Sequence, residues 1–160
     1  MINIEELGWD AKTVGELDHR LLKVPGMKLR SAKSGGNGDT VYCVDLRIRR
    51  PNANECLTAT ELHSMEHFLL AGFQRYLPAN FVCVGIMGCQ TGFYLAFLNE
   101  GCAKRICGFL EDILTDMQSA TAVPYARIDR CGNYRNHSLE LAQRVAREVL
   151  EAKSTWLDVV

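Results

Sequence analysis

The sequence predicts an α+β fold in which a mainly antiparallel sheet packs with amphipathic helices. Strand-like and helical stretches follow one another without the regular β-α-β alternation that builds a parallel sheet. Val44, Leu46 and Ile48 alternate with Asp45, Arg47 and Arg49, the period of two of a half-buried strand with one charged face. Leu62, Met65, Leu69, Phe73 and Tyr76 recur instead at helical intervals. With 160 residues the chain is long enough for one core, so a single domain over 1–160 is expected.

Taken in order, residues 1–13 are polar and predict a loose N-terminal arm or short helix. Residues 14–19 suit a short strand that ends on His19, one of only four histidines. On its own, His19 reads as a surface or core-edge residue. Pro25-Gly26 marks a turn, and the run from Ser34 to Asp39 carries three glycines, a hairpin signal. The alternating strand follows and ends at Pro51-Asn52. On that strand Arg47 and Arg49 suit either a solvated face or an anion clamp.

Thr58 and Glu61 have capping-box spacing and open a helix over 59–77, which Pro78 stops. The apolar run Phe81–Ile86 predicts a buried strand. Gly88 and Gly92 bracket Cys89 between that run and the next strand-like one, a place for a tight turn that presents the thiol. Residues 103–122 carry one apolar stripe, with Glu111, Asp112 and Asp116 on the wet side. After an irregular connection opened by Pro124, residues 138–152 form a last amphipathic helix.

Composition narrows the function. A net charge of −1 with 48% hydrophobic residues gives no basic excess for nucleic acid. No apolar run approaches the roughly 20 residues of a membrane span. The N-terminus lacks the pattern of a signal peptide. Seven cysteines in no small-scaffold spacing predict a reduced, cytoplasmic protein with most thiols buried.

The chemistry centres on Leu62-His63-Ser64-Met65-Glu66-His67. Two histidines four apart on a helix project from one face about one turn apart, a spacing that suits two ligands of one metal. Glu66 sits at the edge of that face, where a carboxylate serves proton transfer beside a metal. Cys89, if placed near a cation, ionises more easily and can act as base or nucleophile. Three readings compete at this point. H-x-x-E-H is a metallopeptidase pattern, with Glu140 available as third ligand. His63, His67, Cys89 and Cys131 can also close a structural Cys2His2 site. The third reading takes Glu66 and Cys89 as catalysts.

Three separated motifs favour the last. His63-Ser64-Met65-Glu66-His67, Met87-Gly88-Cys89-Gln90-Thr91-Gly92-Phe93-Tyr94 and Cys131-Gly132-Asn133-Tyr134-Arg135-Asn136-His137-Ser138-Leu139 together resemble the S-ribosylhomocysteine lyase family, the autoinducer-2 synthases. Asp45-Leu46-Arg47, Pro51-Asn52 and Glu16-Leu17-Asp18-His19 also match, so the resemblance covers residues 14–150. It implies a homodimer with its active site near the interface. It implies one divalent metal per subunit, Fe2+ with Zn2+ or Co2+ as substitutes, held by His63, His67 and Cys131, and no organic cofactor. It further implies Glu66 and Cys89 as the acid/base pair, and His19 and Arg47 as substrate-binding residues. The implied reaction converts S-ribosylhomocysteine to homocysteine and 4,5-dihydroxy-2,3-pentanedione, the autoinducer-2 precursor of quorum sensing and a step in homocysteine recovery. The chain departs from the family at Val14 and Gly15, where a serine and an aromatic are usual, and at Gly85 and Ile86, where Ser-Pro is usual. Those departures touch substrate contacts, and leave a weakened relative that binds its sugar thioether as a further reading.

Overall fold

A computed structural model describes residues 2–160. Strands β1 (Gly26–Ser34), β2 (Thr40–Arg47), β3 (Phe81–Ile86) and β4 (Gly92–Leu98) form one antiparallel sheet in the order β1-β2-β4-β3. Three helices, α1 (Ala59–Tyr76), α2 (Ala103–Ser119) and α3 (Leu139–Glu151), complete the fold, and they contact one another. The expected α+β class is what the chain adopts.

The period of two explains the sheet. Val44 and Leu46 of β2 and Phe93, Leu95 and Phe97 of β4 are fully buried and meet the inward stripes of the helices. α1 contributes Met65, Leu69 and Phe73, α2 contributes Ile106, Leu110 and Ile113, and α3 contributes Val145 and Val149. Two sequence expectations fail at the sheet. Phe81–Ile86 is an edge strand, not a buried one: Val82 and Ile86 are 57% and 42% exposed. Its apolar composition is the same for either position, and only strand order separates them. Conversely, Asp45 and Arg47 are buried, although their alternation predicts a wet face, because other parts of the chain cover that end of the sheet.

That cover is made of segments expected to be loose or regular. Residues 14–19 form no strand; Gly15 N–H donates to Leu29 O, and Gly15 O accepts from the Lys28 ammonium. Gly15 is left-handed (φ 87°), a conformation that the usual aromatic would adopt only with strain. Of the two expectations for the first residues, the short helix is the one that holds, at Ala11–Thr13, and Trp9 packs into the core and donates through Nε1 to Gly101 O at 2.7 Å. At the other end of the chain, Trp156 O and Val159 O accept from Met27 and Lys23 N–H.

The helix ends follow local chemistry. The Thr58–Glu61 capping box is formed at α1. α2 stops at Ser119, short of 122, and α3 runs one residue shorter at each end than the predicted 138–152, with Ser138 as its N-cap.

Candidate metal centre and thiol site

α1 carries the two histidines on the side that faces the 120–138 connection. The connection is stapled to the helix by polar contacts: Thr60 Oγ1 donates to Asn136 Oδ1 at 2.6 Å, and Ser138 N–H donates to Ser64 Oγ at 2.9 Å. The same segment orients the imidazoles. His63 Nδ1 lies 3.0 Å from Asn136 O, and His67 Nδ1 lies 2.7 Å from Pro124 O. With Nδ1–H committed to a backbone carbonyl, each ring keeps Nε2 as its lone-pair donor, the usual second-shell device of metal sites.

The connection also delivers Cys131. Its Sγ is 3.3 Å from His63 Nε2 and accepts from Asn133 N–H at 3.3 Å. A fourth donor that sequence reasoning left unassigned joins them: His137, whose Nε2 is 3.5 Å from Cys131 Sγ. Ligand atoms of His63, His67, Cys131 and His137 all fall within 4.8 Å of one another. Three imidazoles and a thiol at that spacing fit a borderline divalent metal such as Zn2+ or Fe2+. Burial and the neighbouring His63 and His67 lower the His137 pKa to about 4, so at neutral pH its ring is uncharged. Its Nδ1 is buried without a hydrogen-bond partner, unlike the Nδ1 of the other two rings. Three of the chain's four histidines thus converge on this place.

Glu66 stands beside the cluster, with Oε2 3.7 Å from His67 Nε2 and the side chain partly exposed. Glu140, the metallopeptidase's third ligand, is exposed in the first turn of α3 and is not among the clustered donors. Cys89 is absent from the cluster as well, which corrects the closed Cys2His2 reading: the fourth donor is a histidine.

Cys89 lies in the Met87–Thr91 loop between β3 and β4. The left-handed residue of that loop is Gln90 (φ 61°), not either flanking glycine. Gly92 has a different reason to be glycine, since a Cβ there would run into Leu46 O. Around the thiol the polar contacts are specific. Arg47 Nη1 donates to Thr91 Oγ1 at 2.7 Å and to Cys89 Sγ at 3.6 Å, and Thr91 Oγ1 is 3.0 Å from Cys89 Sγ. Thr91 Oγ1 already accepts from Arg47, so its proton is free to be donated to the sulfur. Burial works to raise the Cys89 pKa, but the Thr91 hydrogen bonds and the Arg47 charge outweigh it and hold the thiol below its ordinary value.

Arg47 is thus placed against Cys89. Arg49 instead pairs with Glu148 of α3 at 2.6 Å. His19 is exposed, its Nδ1 3.1 Å from Leu17 O, and it makes no hydrogen bond to another candidate residue among the described residues. The expected burial of most cysteines does not hold: all seven are free, Cys56, Cys83 and Cys89 are exposed and the others half-buried.

Comparison with known proteins bears on the same residues. The family model for S-Ribosylhomocysteinase (LuxS) matches residues 14–160. An S-ribosylhomocysteine lyase of Halobacillus halophilus is 41% identical over 143 residues, 89% of this chain and 93% of the relative. Those of Dichelobacter nodosus and Helicobacter pylori are 40% and 38% identical over the same length, covering 92% and 91% of those proteins. The chain belongs to the S-ribosylhomocysteinase (LuxS) family.

Proposed function

We propose that this chain is a metal-dependent carbon–sulfur lyase that cleaves S-ribosylhomocysteine to homocysteine and 4,5-dihydroxy-2,3-pentanedione. The observation that carries the reading is a His/Cys donor cluster beside Glu66 in a chain of this family. His63, His67 and Cys131 hold the metal. His137, whose Nδ1 has no anchor, borders the site without being a fixed ligand. On the strength of the resemblance the resident metal is Fe2+, with Zn2+ or Co2+ as substitutes.

A bound divalent cation supplies Lewis-acid polarisation of the sugar's carbonyl and hydroxyl oxygens, which acidifies the adjacent C–H. Cys89, as thiolate, takes a proton from one carbon and returns it to its neighbour while the hydroxyl proton passes to the former carbonyl oxygen, which moves the carbonyl from C1 to C2 and then, by a second such exchange, to C3. Arg47 and Thr91 stabilise the anionic sulfur between transfers. With the carbonyl at C3, Glu66 removes the C4 proton. The C4–H electron pair forms the C4–C5 double bond as homocysteine leaves C5 as its thiolate, and the C4 enol so formed loses its hydroxyl proton and gains one at C5 to give the 2,3-dione. His19 and Arg47 contact the substrate.

The protein works in the cytoplasm as a homodimer with its site near the interface. Seven free thiols suit a reducing compartment, and no helix among the described residues is long and apolar enough to cross a membrane. β3 supports the dimer. This edge strand, Phe81–Ile86, holds no charge and no proline and exposes Val82 and Ile86, so the register irregularity between Phe81 and Cys83 is the one guard its edge carries.

The deciding experiment is anaerobic homocysteine release from S-ribosylhomocysteine by Fe2+- or Co2+-loaded protein, with metal content measured in each sample. Release is expected from the native chain. It should fall by at least about 100-fold in Glu66→Gln and Cys89→Ala, both still metal-loaded. No release from intact, loaded protein overturns the lyase; binding of substrate without turnover would make Val14 and Gly15 the first suspects.

A further inference from the structure

Asp45 and Arg47 are a buried ion pair on the sheet face away from the helical core, at 2.9 Å between Asp45 Oδ2 and Arg47 Nη2. Asp45 is 2% and Arg47 is 5% exposed. Burying such a pair is rarely profitable for stability, because desolvation of both charges offsets their attraction. This one is also incompletely satisfied: Asp45 Oδ1 and Arg47 Nε have no partner. A well-packed apolar pair would serve the fold better, so the charges need another reason to be there.

The geometry supplies one. Asp45 and Arg47 are two apart on β2 and therefore share a face. The carboxylate takes Nη2 of the guanidinium, and Nη1 is thereby turned toward Thr91 Oγ1 and Cys89 Sγ. Lys28, directly across on β1 and also buried, lies opposite Asp45 in the strand register and is itself tied to Gly15 O. The charged group that bears on the thiol is Arg47 of β2, and the groups that face its partner Asp45 are Lys28 and Arg30 from β1 and Tyr94 from β4, with Glu16 beside Lys28 and Arg30. Cys56 is added from the segment before α1, its Sγ donating to Cys89 O at 3.6 Å.

We propose that Asp45 is a positioning residue: its buried carboxylate, paired with Arg47 Nη2, holds the Arg47 guanidinium against Cys89 and so keeps the thiol reactive. This rests on the proton-carrier role assigned to Cys89, but its test does not use turnover. In metal-loaded full-length protein, iodoacetamide alkylation of Cys89 is followed against pH by mass spectrometry of its peptide. The native chain is compared with Asp45→Ala, the isosteric Asp45→Asn and the conservative Asp45→Glu.

Two effects of Asp45 on the thiol oppose each other, which makes the sign decisive. If the carboxylate acts only through space, its removal lowers the midpoint, since a nearby negative charge disfavours a thiolate. If it positions Arg47, removal lets the guanidinium swing away and the midpoint rises, by roughly half to one pH unit, with a several-fold slower reaction below neutrality. We expect the rise in Asp45→Ala, a smaller one in Asp45→Asn, partial recovery in Asp45→Glu, and no rise on Asp45→Ala once Arg47 is Ala, where only the through-space effect is left. An unchanged or lowered midpoint in the variants that fold overturns the proposal. Homocysteine release, run separately, tells that failure from failure of the lyase.

Discussion

Cys89 and Thr91 show how much a single hydroxyl contributes at the residue scale. Thr91 is buried, accepts from Arg47 and has its own proton available for the sulfur. Thr91→Val keeps the shape and removes that donor. The midpoint for alkylation of Cys89 should rise by roughly one pH unit, from a native value below that of an ordinary thiol. An unchanged midpoint would leave the Arg47 charge as the whole cause. The same scale contains the clearest omission of sequence reasoning. His137 lies six residues after Cys131 and just before the α3 N-cap, and nothing in that spacing marks it as a neighbour of His63. Its place follows from the fold of an irregular connection, which has no period to read.

At the scale of elements, α1 matters most, because it holds His63, Glu66 and His67 in one rigid frame. Its start is set by Thr58 and Glu61, and Glu61 also accepts from Arg144 of α3 at 2.6 Å. Burial works against the Glu61 carboxylate, but hydrogen bonds from Thr58 and Arg144 prevail and lower its pKa. A carboxyl lowered on folding adds stability that is present above its unfolded pKa and is lost as pH falls through the folded one. Thr58→Ala should therefore cost about 1 kcal/mol at neutral pH, by urea unfolding. The deficit should narrow in acid, where protonation weakens the same box in the native chain. The helix was legible in the sequence because its cap, its stripe and its stop are all local. β3 was not fully legible, since its interior or edge position depends on β4 lying between it and β2.

For the whole molecule, the open question is how many copies complete the site. The donor cluster lies between α1 and the 120–138 connection, whereas Cys89 and Arg47 form their own group at the end of the sheet. His19 stays exposed beside neither by hydrogen bonding, as a residue awaiting a partner surface would. The proposed homodimer would bring a second copy's surface to these groups. Sedimentation at micromolar concentration should return about twice the 17.9 kDa of one chain. A monomer that still releases homocysteine would overturn the dimer and leave the lyase standing.

By itself the sequence determined the α+β class, the capped helix that carries two histidines and a glutamate at one face, and the family resemblance that named Cys131 and Cys89. Those follow from short-range periodicity and spacing, which are properties of neighbours along the chain. Only the tertiary structure decided that His137, and not Cys89, lies with His63, His67 and Cys131, that Arg47 is buried beside the thiol, and that Asp45 is buried with it. Such facts depend on which distant segments cover which face, and burial of a charge has no local signature in a strand whose alternation reads the same wet or dry.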